Sequence, residues 1–172
     1  MIILGIDPGI AIVGYGVLEY VKGKFRTIAM GSIETPSGID VEERLKMIYD
    51  DMCEIIETYR PNEMAIEELF FNTNQKTGIA VAQARGVILL AAVQKNIKIS
   101  EYTPLQVKQS VVGYGRAEKK QVIALVKMML GMESSALKLD DTADALALAI
   151  CHAHSSGSGM RDYFNQKKKK LL

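Results

Sequence analysis

Four carboxylates stand where the chain could use them for chemistry. Asp7 closes an apolar run, Ile2-Ile3-Leu4-Gly5-Ile6, and is followed by Pro8-Gly9. Glu67 closes a second short run, Met64-Ala65-Ile66. Asp141 and Asp144 lie three residues apart near the start of a helical pattern, so both project from one helix face, and a helix N-terminus favours negative charge. Ligands of open α/β sheets gather beyond the carboxyl ends of the strands, where Asp7 and Glu67 are expected.

Plain structural roles compete with this reading. Asp141 or its neighbour Asp140 could be an N-cap, Asp7 a turn acid, and Glu67 or Glu68 a surface strand end. A strand alternates faces, so Glu67 and Glu68 cannot both enter one site. Asp144 resists the plain roles best. It sits within Ala143-Asp144-Ala145-Leu146-Ala147-Leu148-Ala149-Ile150, a run that must pack into the core, where an unpaired carboxylate is very costly. Carboxylates without a partnering Cys or His suit Mg²⁺, with Mn²⁺ as a substitute, rather than Zn²⁺. Two such ions, roughly 3.5–4 Å apart, can clamp the attacking and leaving oxygens of a phosphodiester.

The elements that must hold these acids follow from periodicity. Residues 1–6, 12–20, 25–33, 63–67 and 97–102 read as strands. The second and third are joined as a hairpin at Lys22-Gly23-Lys24. Apolar residues at steps of three and four predict a helix over 41–59, ended by Pro61. Further helices are predicted over 77–94, 104–112, 117–130 and 141–154. Strand–helix–strand units imply parallel pairing with right-handed crossovers. A mixed five-stranded α/β sheet with helices on both faces is expected.

The helix over 77–94 is apolar almost all round, more than one sheet can cover. Its small residues Gly78, Ala80, Ala82, Ala84 and Gly86 permit close helix approach. It is expected to form the seam of a homodimer, with Gln83 and Arg85 at the edge or bonded across it. The alternative is burial beneath the C-terminal helices of its own domain.

The chain has 172 residues, 48% hydrophobic and 24% charged, which excludes a disordered chain and a small disulfide scaffold. One domain over 1–154 and a flexible basic tail over 155–172 are expected, the boundary marked by Ser155-Ser156-Gly157-Ser158-Gly159. The net charge of +1 hides an asymmetry: of 21 basic and 20 acidic residues, Arg161, Lys167, Lys168, Lys169, Lys170 and a single acid, Asp162, fall in the tail. Cys53 and Cys151 lie in apolar patterns without metal spacing, as in a reduced cytoplasmic protein. No signal peptide or membrane span is expected, because Asp7 interrupts the first apolar run and Gln83 and Arg85 interrupt the longest later one. His152 and His154 lack ligand spacing and read as helix-end residues.

Six motifs together resemble the RuvC family of Holliday junction resolvases. They are Gly5-Ile6-Asp7-Pro8-Gly9, Ala65-Ile66-Glu67-Glu68-Leu69-Phe70, Gln83-Ala84-Arg85-Gly86, Gln106-Val107-Lys108-Gln109, Gly113-Tyr114-Gly115-Arg116-Ala117-Glu118-Lys119 and Asp141-Thr142-Ala143-Asp144-Ala145-Leu146-Ala147. The resemblance runs from Met1 to about His154. It implies a ribonuclease H-like fold and a homodimeric, Mg²⁺-dependent endonuclease that resolves four-way junctions in recombination and repair. It assigns Asp7, Glu67, Asp141 and Asp144 as ligands of two ions, leaving Asp140 as an open neighbour. It places Lys108 and Lys119 at DNA phosphates, Phe70 at a base-stacking position beside Phe71, and Arg116 as a further DNA contact. It also implies RuvA and RuvB as branch-migration partners. An ATP-using member of the actin-like superfamily also ends a strand in Asp-x-Gly, but this chain is short for two lobes and lacks a later Gly-Gly loop. A catalytically silent junction binder would not need all four acids.

Overall fold

The computed structural model describes residues 1–69, 75–133 and 140–156. Its strands are β1 (Ile2–Asp7), β2 (Ile12–Val21), β3 (Lys24–Glu34), β4 (Glu63–Glu67) and β5 (Lys98–Tyr102), and its helices are α1 (Val41–Tyr59), α2 (Gln75–Gln94), α3 (Pro104–Val112), α4 (Lys119–Leu130) and α5 (Asp140–Ser156). The strands form one sheet in the order β3-β2-β1-β4-β5. β1, β2 and β3 pair antiparallel, whereas β4 pairs parallel with β1 and with β5. The hairpin closes with Lys22 and Gly23 both at positive φ, the two-residue turn whose twist matches the strands.

Strand alternation divides the core in two. Leu4, Ile6, Val13, Val17, Met64 and Ile66 pack on one face against α1 and α2. Ile3, Leu18 and Ala65 pack on the other against α3, α4 and α5. The same alternation sends Asp7, two residues on from Gly5, and Glu67, two on from Ala65, to the α5 face.

α5 comes unusually close to the sheet, because β1 and β2 present glycines to it. A Cβ added at Gly5 would lie 2.0 Å from the Ala145 carbonyl oxygen, and one at Gly14 would lie 2.2 Å from that of Asp141. Only residues without a side chain allow this approach. The run of alanines in α5 completes the fit from the helix side.

His152 is wholly buried near the far end of α5. Its Nδ1 is 2.8 Å from the Tyr102 hydroxyl and its Nε2 is 2.8 Å from a Glu63 carboxylate oxygen. The ring thus ties α5 to β5 and β4. This corrects the expectation of a plain helix-end histidine: α5 continues to Ser156, and position 152 faces the sheet. Cys151 is buried, Cys53 is half-buried, and both are free.

α2 lies beside α1, on the opposite face from the C-terminal helices, so burial beneath those helices is excluded. Ala84, Ile88, Ala91 and Ala92 face the core. Arg85 is engaged within its own chain. Its guanidinium is 3.1 Å from Glu101, and its Nε donates to the Glu67 carbonyl at 3.3 Å. Among the described residues, no helix is long and apolar enough to cross a membrane.

Candidate active site

The sheet and α5 bring the four predicted acids to one place. Ile6 and Ile66 are register partners in the parallel pair of β1 and β4, so Asp7 and Glu67 end adjacent strands one step further on. Arg85 holds the β4 end from below through the Glu67 carbonyl. The Glu68 N–H donates to the Tyr102 carbonyl at 2.8 Å and extends the ladder past Glu67. Across the other edge of β1, Asp7 pairs with Gly14, and the start of α5 seats Asp141 against Gly14. The Thr142 hydroxyl donates to the Gly31 carbonyl at 3.3 Å. Asp144 follows one turn on. Asp140 is the first residue of α5 and is exposed, while Asp141 is half-buried.

The charges act on one another. Burial, then Glu67, Asp144 and Asp141 in turn, pushes the Asp7 carboxyl up to about 8, and Lys119 opposes the rise. Glu67 is raised by burial and then by Asp144. Lys119, at the first turn of α4, supplies positive charge. Its Nζ is 2.9 Å from an Asp144 oxygen and 3.5 Å from an Asp140 oxygen. Burial works against its ammonium, but the Asp144 and Asp140 carboxylates outweigh it and its pKa is raised. Among the described residues, no three His, Cys, Asp or Glu side chains form a ready-made metal-binding group. The four acids are neighbours under mutual repulsion, with Lys119 drawn to Asp144.

A cavity of about 210 Å³ opens here, lined by Glu67, Lys108, Lys119 and Asp144 over a floor that includes Val107, Val122 and Leu148. Lys108 therefore reaches the same space as the acids. Arg116 is exposed in the turn between α3 and α4. Phe70 and Phe71, and the lysines of the tail, lie outside the described residues. Sequence reasoning missed the pairing of Lys119 with Asp144 and the seating of Asp141 on Gly14. The second had a visible cue, since glycine inside a strand marks close backbone approach.

The family model for crossover junction endodeoxyribonuclease RuvC matches residues 3–152. The chain belongs to the RuvC family. RuvC of Alkaliphilus metalliredigens is 59% identical over 155 residues, covering 90% of this chain and 94% of that relative. A solved structure of Thermus thermophilus RuvC superposes with a TM-score of 0.85 at 34% identity, over 92% of this chain and 97% of that one. The structure of T. thermophilus RuvC in complex with Holliday junction substrate gives 0.86 at 34% identity, over 91% and 94%. The chain thus has a ribonuclease H-like α/β fold and is an endodeoxyribonuclease of the RuvC kind. RuvC nucleases are metal-dependent.

Proposed function

We propose that this chain resolves four-way DNA junctions by paired symmetric nicks, with Asp7, Glu67, Asp141 and Asp144 holding two divalent ions. The observation that carries the reading is the convergence of these carboxylates at one end of the sheet, close enough that three of them raise the Asp7 pKa. Hard oxygen donors of like charge, partly buried together, fit Mg²⁺, with Mn²⁺ as a substitute. When bound, the ions supply Lewis-acid stabilisation of the phosphodiester and acidify a water.

The chain's own residues bind and orient. Lys108 and Lys119 face the cavity and pair with phosphate oxygens of the DNA strand that enters it. Lys119 exchanges its contact with Asp144 for the phosphate and returns to it afterwards. Arg116 holds the backbone further out. Phe70, three residues beyond Glu67, stacks on an unpaired base at the crossover; its support is the sequence alone.

A second copy of this chain completes the enzyme. Ile79, Gln83, Gly86, Leu90 and Val93 of α2 are all exposed. Their spacing of four, three, four and three is that of a helix–helix seam. A C₂ dimer matches the near two-fold symmetry of a four-way junction. The reading extends to a cytoplasmic enzyme working with RuvA and RuvB, and to a nuclease domain over 1–154 with a basic tail over 155–172.

Asp7→Asn, Glu67→Gln, Asp141→Asn and Asp144→Asn test the site. Each should abolish junction cleavage in Mg²⁺ while gel-shift affinity stays close to wild type, because affinity comes from phosphate contacts elsewhere. Cleavage by Asp144→Asn at the wild-type rate would falsify the four-acid site.

A further inference from the structure

Two large apolar side chains stand exposed on α3 and on the turn that joins α3 to α4, the two helices that bring Lys108 and Lys119 to the cavity. Leu105 is 54% exposed and Tyr114 is 47% exposed. Leu105 lies on the first turn of α3, three residues before Lys108, so the two share a side of the helix. Tyr114 belongs to the turn between α3 and α4 and precedes Gly115. A Cβ on Gly115 would lie 2.1 Å from Leu105 Cδ1 and 3.6 Å from Gln109 Cγ. The turn is therefore folded down onto the Leu105–Gln109 side of α3. Gly113 reverses the chain at φ 90°, and its N–H donates to the Gln109 carbonyl at 3.0 Å. α3 itself starts from a capping box between Thr103 and Gln106. A braced frame thus presents an aliphatic side chain and a phenol ring to solvent. None of the ring–ring contacts among the described residues involves Tyr114.

The charges around this pair favour a polyanion. Along α3, the turn and the start of α4, residues 104–120, Lys108, Arg116, Lys119 and Lys120 stand against a single acid, Glu118, with Asp144 and Asp140 of α5 drawn to Lys119. An aromatic ring set among cations is how unpaired nucleic acid is held: phosphates meet the cations and a base stacks on the ring. We infer that Tyr114, carried on the turn that packs against Leu105 through Gly115, stacks on an unpaired base of the junction strand whose phosphate enters the cavity. This contact rests on the junction-cleaving reading and adds to the one assigned to Phe70. A linear duplex keeps its bases paired and stacked, so the ring gains little from it. Tyr114 therefore favours junctions over duplex, whereas the lysines do not discriminate.

Gel-shift affinities of the full chain, for a synthetic four-way junction and for linear duplex of the same sequence, test this. Tyr114→Ala should bind the junction about 5- to 150-fold more weakly, with duplex affinity unchanged. Its salt slope should equal that of wild type, because no phosphate contact is lost. Tyr114→Phe should keep wild-type affinity, since the ring and not the hydroxyl makes the contact. The chain contains no Trp, so Tyr114→Trp carries a unique emission probe, which the junction should quench and the duplex should not. Wild-type junction affinity in Tyr114→Ala, equal losses on junction and duplex, or an altered salt slope overturns the contact. A wild type that cuts no junction overturns the underlying reading and this contact with it. A wild type that cuts, beside a Tyr114→Ala variant that binds equally well, overturns the contact alone.

Discussion

Replacing Asp7 by Asn isolates the electrostatic strain of the acidic cluster. Burial and the neighbouring carboxylates push Asp7 from 3.8 up to about 8. An acid raised in this way keeps its proton in the folded chain at a pH where the unfolded chain has lost it. Its stabilising effect is complete below about pH 4 and is lost as pH rises toward 8, since the unfolded state then binds fewer protons. A shift of roughly four units at about 1.4 kcal/mol each is on the order of 5 kcal/mol by pH 8. Asn escapes the charge but remains a polar group in a half-buried place, so a net gain of about 2 kcal/mol or more is expected. For a chain of this length 1 kcal/mol moves the melting midpoint by roughly 2–4 °C. Metal-free Asp7→Asn should therefore melt about 5 °C or more above wild type at pH 8, and close to it at pH 4. Scanning calorimetry in chelator across this pH range measures the difference directly. Excess Mg²⁺ should narrow or reverse it, because an ion that binds only the folded, ionised cluster stabilises wild type by mass action. A difference that stays flat from pH 5 to pH 8, or Mg²⁺ raising both proteins equally, would refute the reasoning.

Other outcomes follow from single contacts. Lys119→Ala should slow cleavage by about 100-fold or more, and Lys119→Ala and Lys108→Ala should each lower the salt slope of binding by about one ion, because each lysine neutralises one phosphate. Gly14→Ala places a Cβ 2.2 Å from the Asp141 carbonyl oxygen, and should cost about 1–3 kcal/mol by denaturant unfolding and remove most nicking activity; wild-type nicking would show that the seating of Asp141 is dispensable. Leu90→Asp combined with Val93→Asp should sediment as a folded monomer with a cooperative melting transition, since both side chains are exposed in the single chain, at 50% and 61%. A double variant that remains dimeric refutes the α2 seam.

Much of the frame was legible because it is local. Apolar runs, the Lys22-Gly23 turn and Pro61 mark the strands and the first helix almost to the residue. Boundaries slipped where capping decides them. Ala117 and Glu118 precede α4 instead of opening it, since Glu118 is an extended N-cap, and α5 starts one residue early, at Asp140. α2 shows a harder limit. A helix apolar all round does not reveal which side its own core covers, and the small residues picked out for the seam include Ala84, which is buried inside the domain. Three features depend on residues far apart in sequence, and no local pattern carries them. They are Arg85 with Glu101, His152 between Tyr102 and Glu63, and Lys119 with Asp144. Asp144 stood out because a carboxylate inside an apolar run is too costly to be there without a cation, Asp7 and Glu67 because they close buried strands, and Asp141 by its spacing of three from Asp144.

Strand-resolved mapping of nicks on a synthetic four-way junction, beside linear duplex of the same sequence, tests the central claim most directly. In Mg²⁺ the chain should nick two junction strands of like polarity at symmetric positions and leave the duplex intact, as two identical sites related by a two-fold axis require. Equal cutting of junction and duplex, or nicks without symmetry across the crossover, would contradict the account.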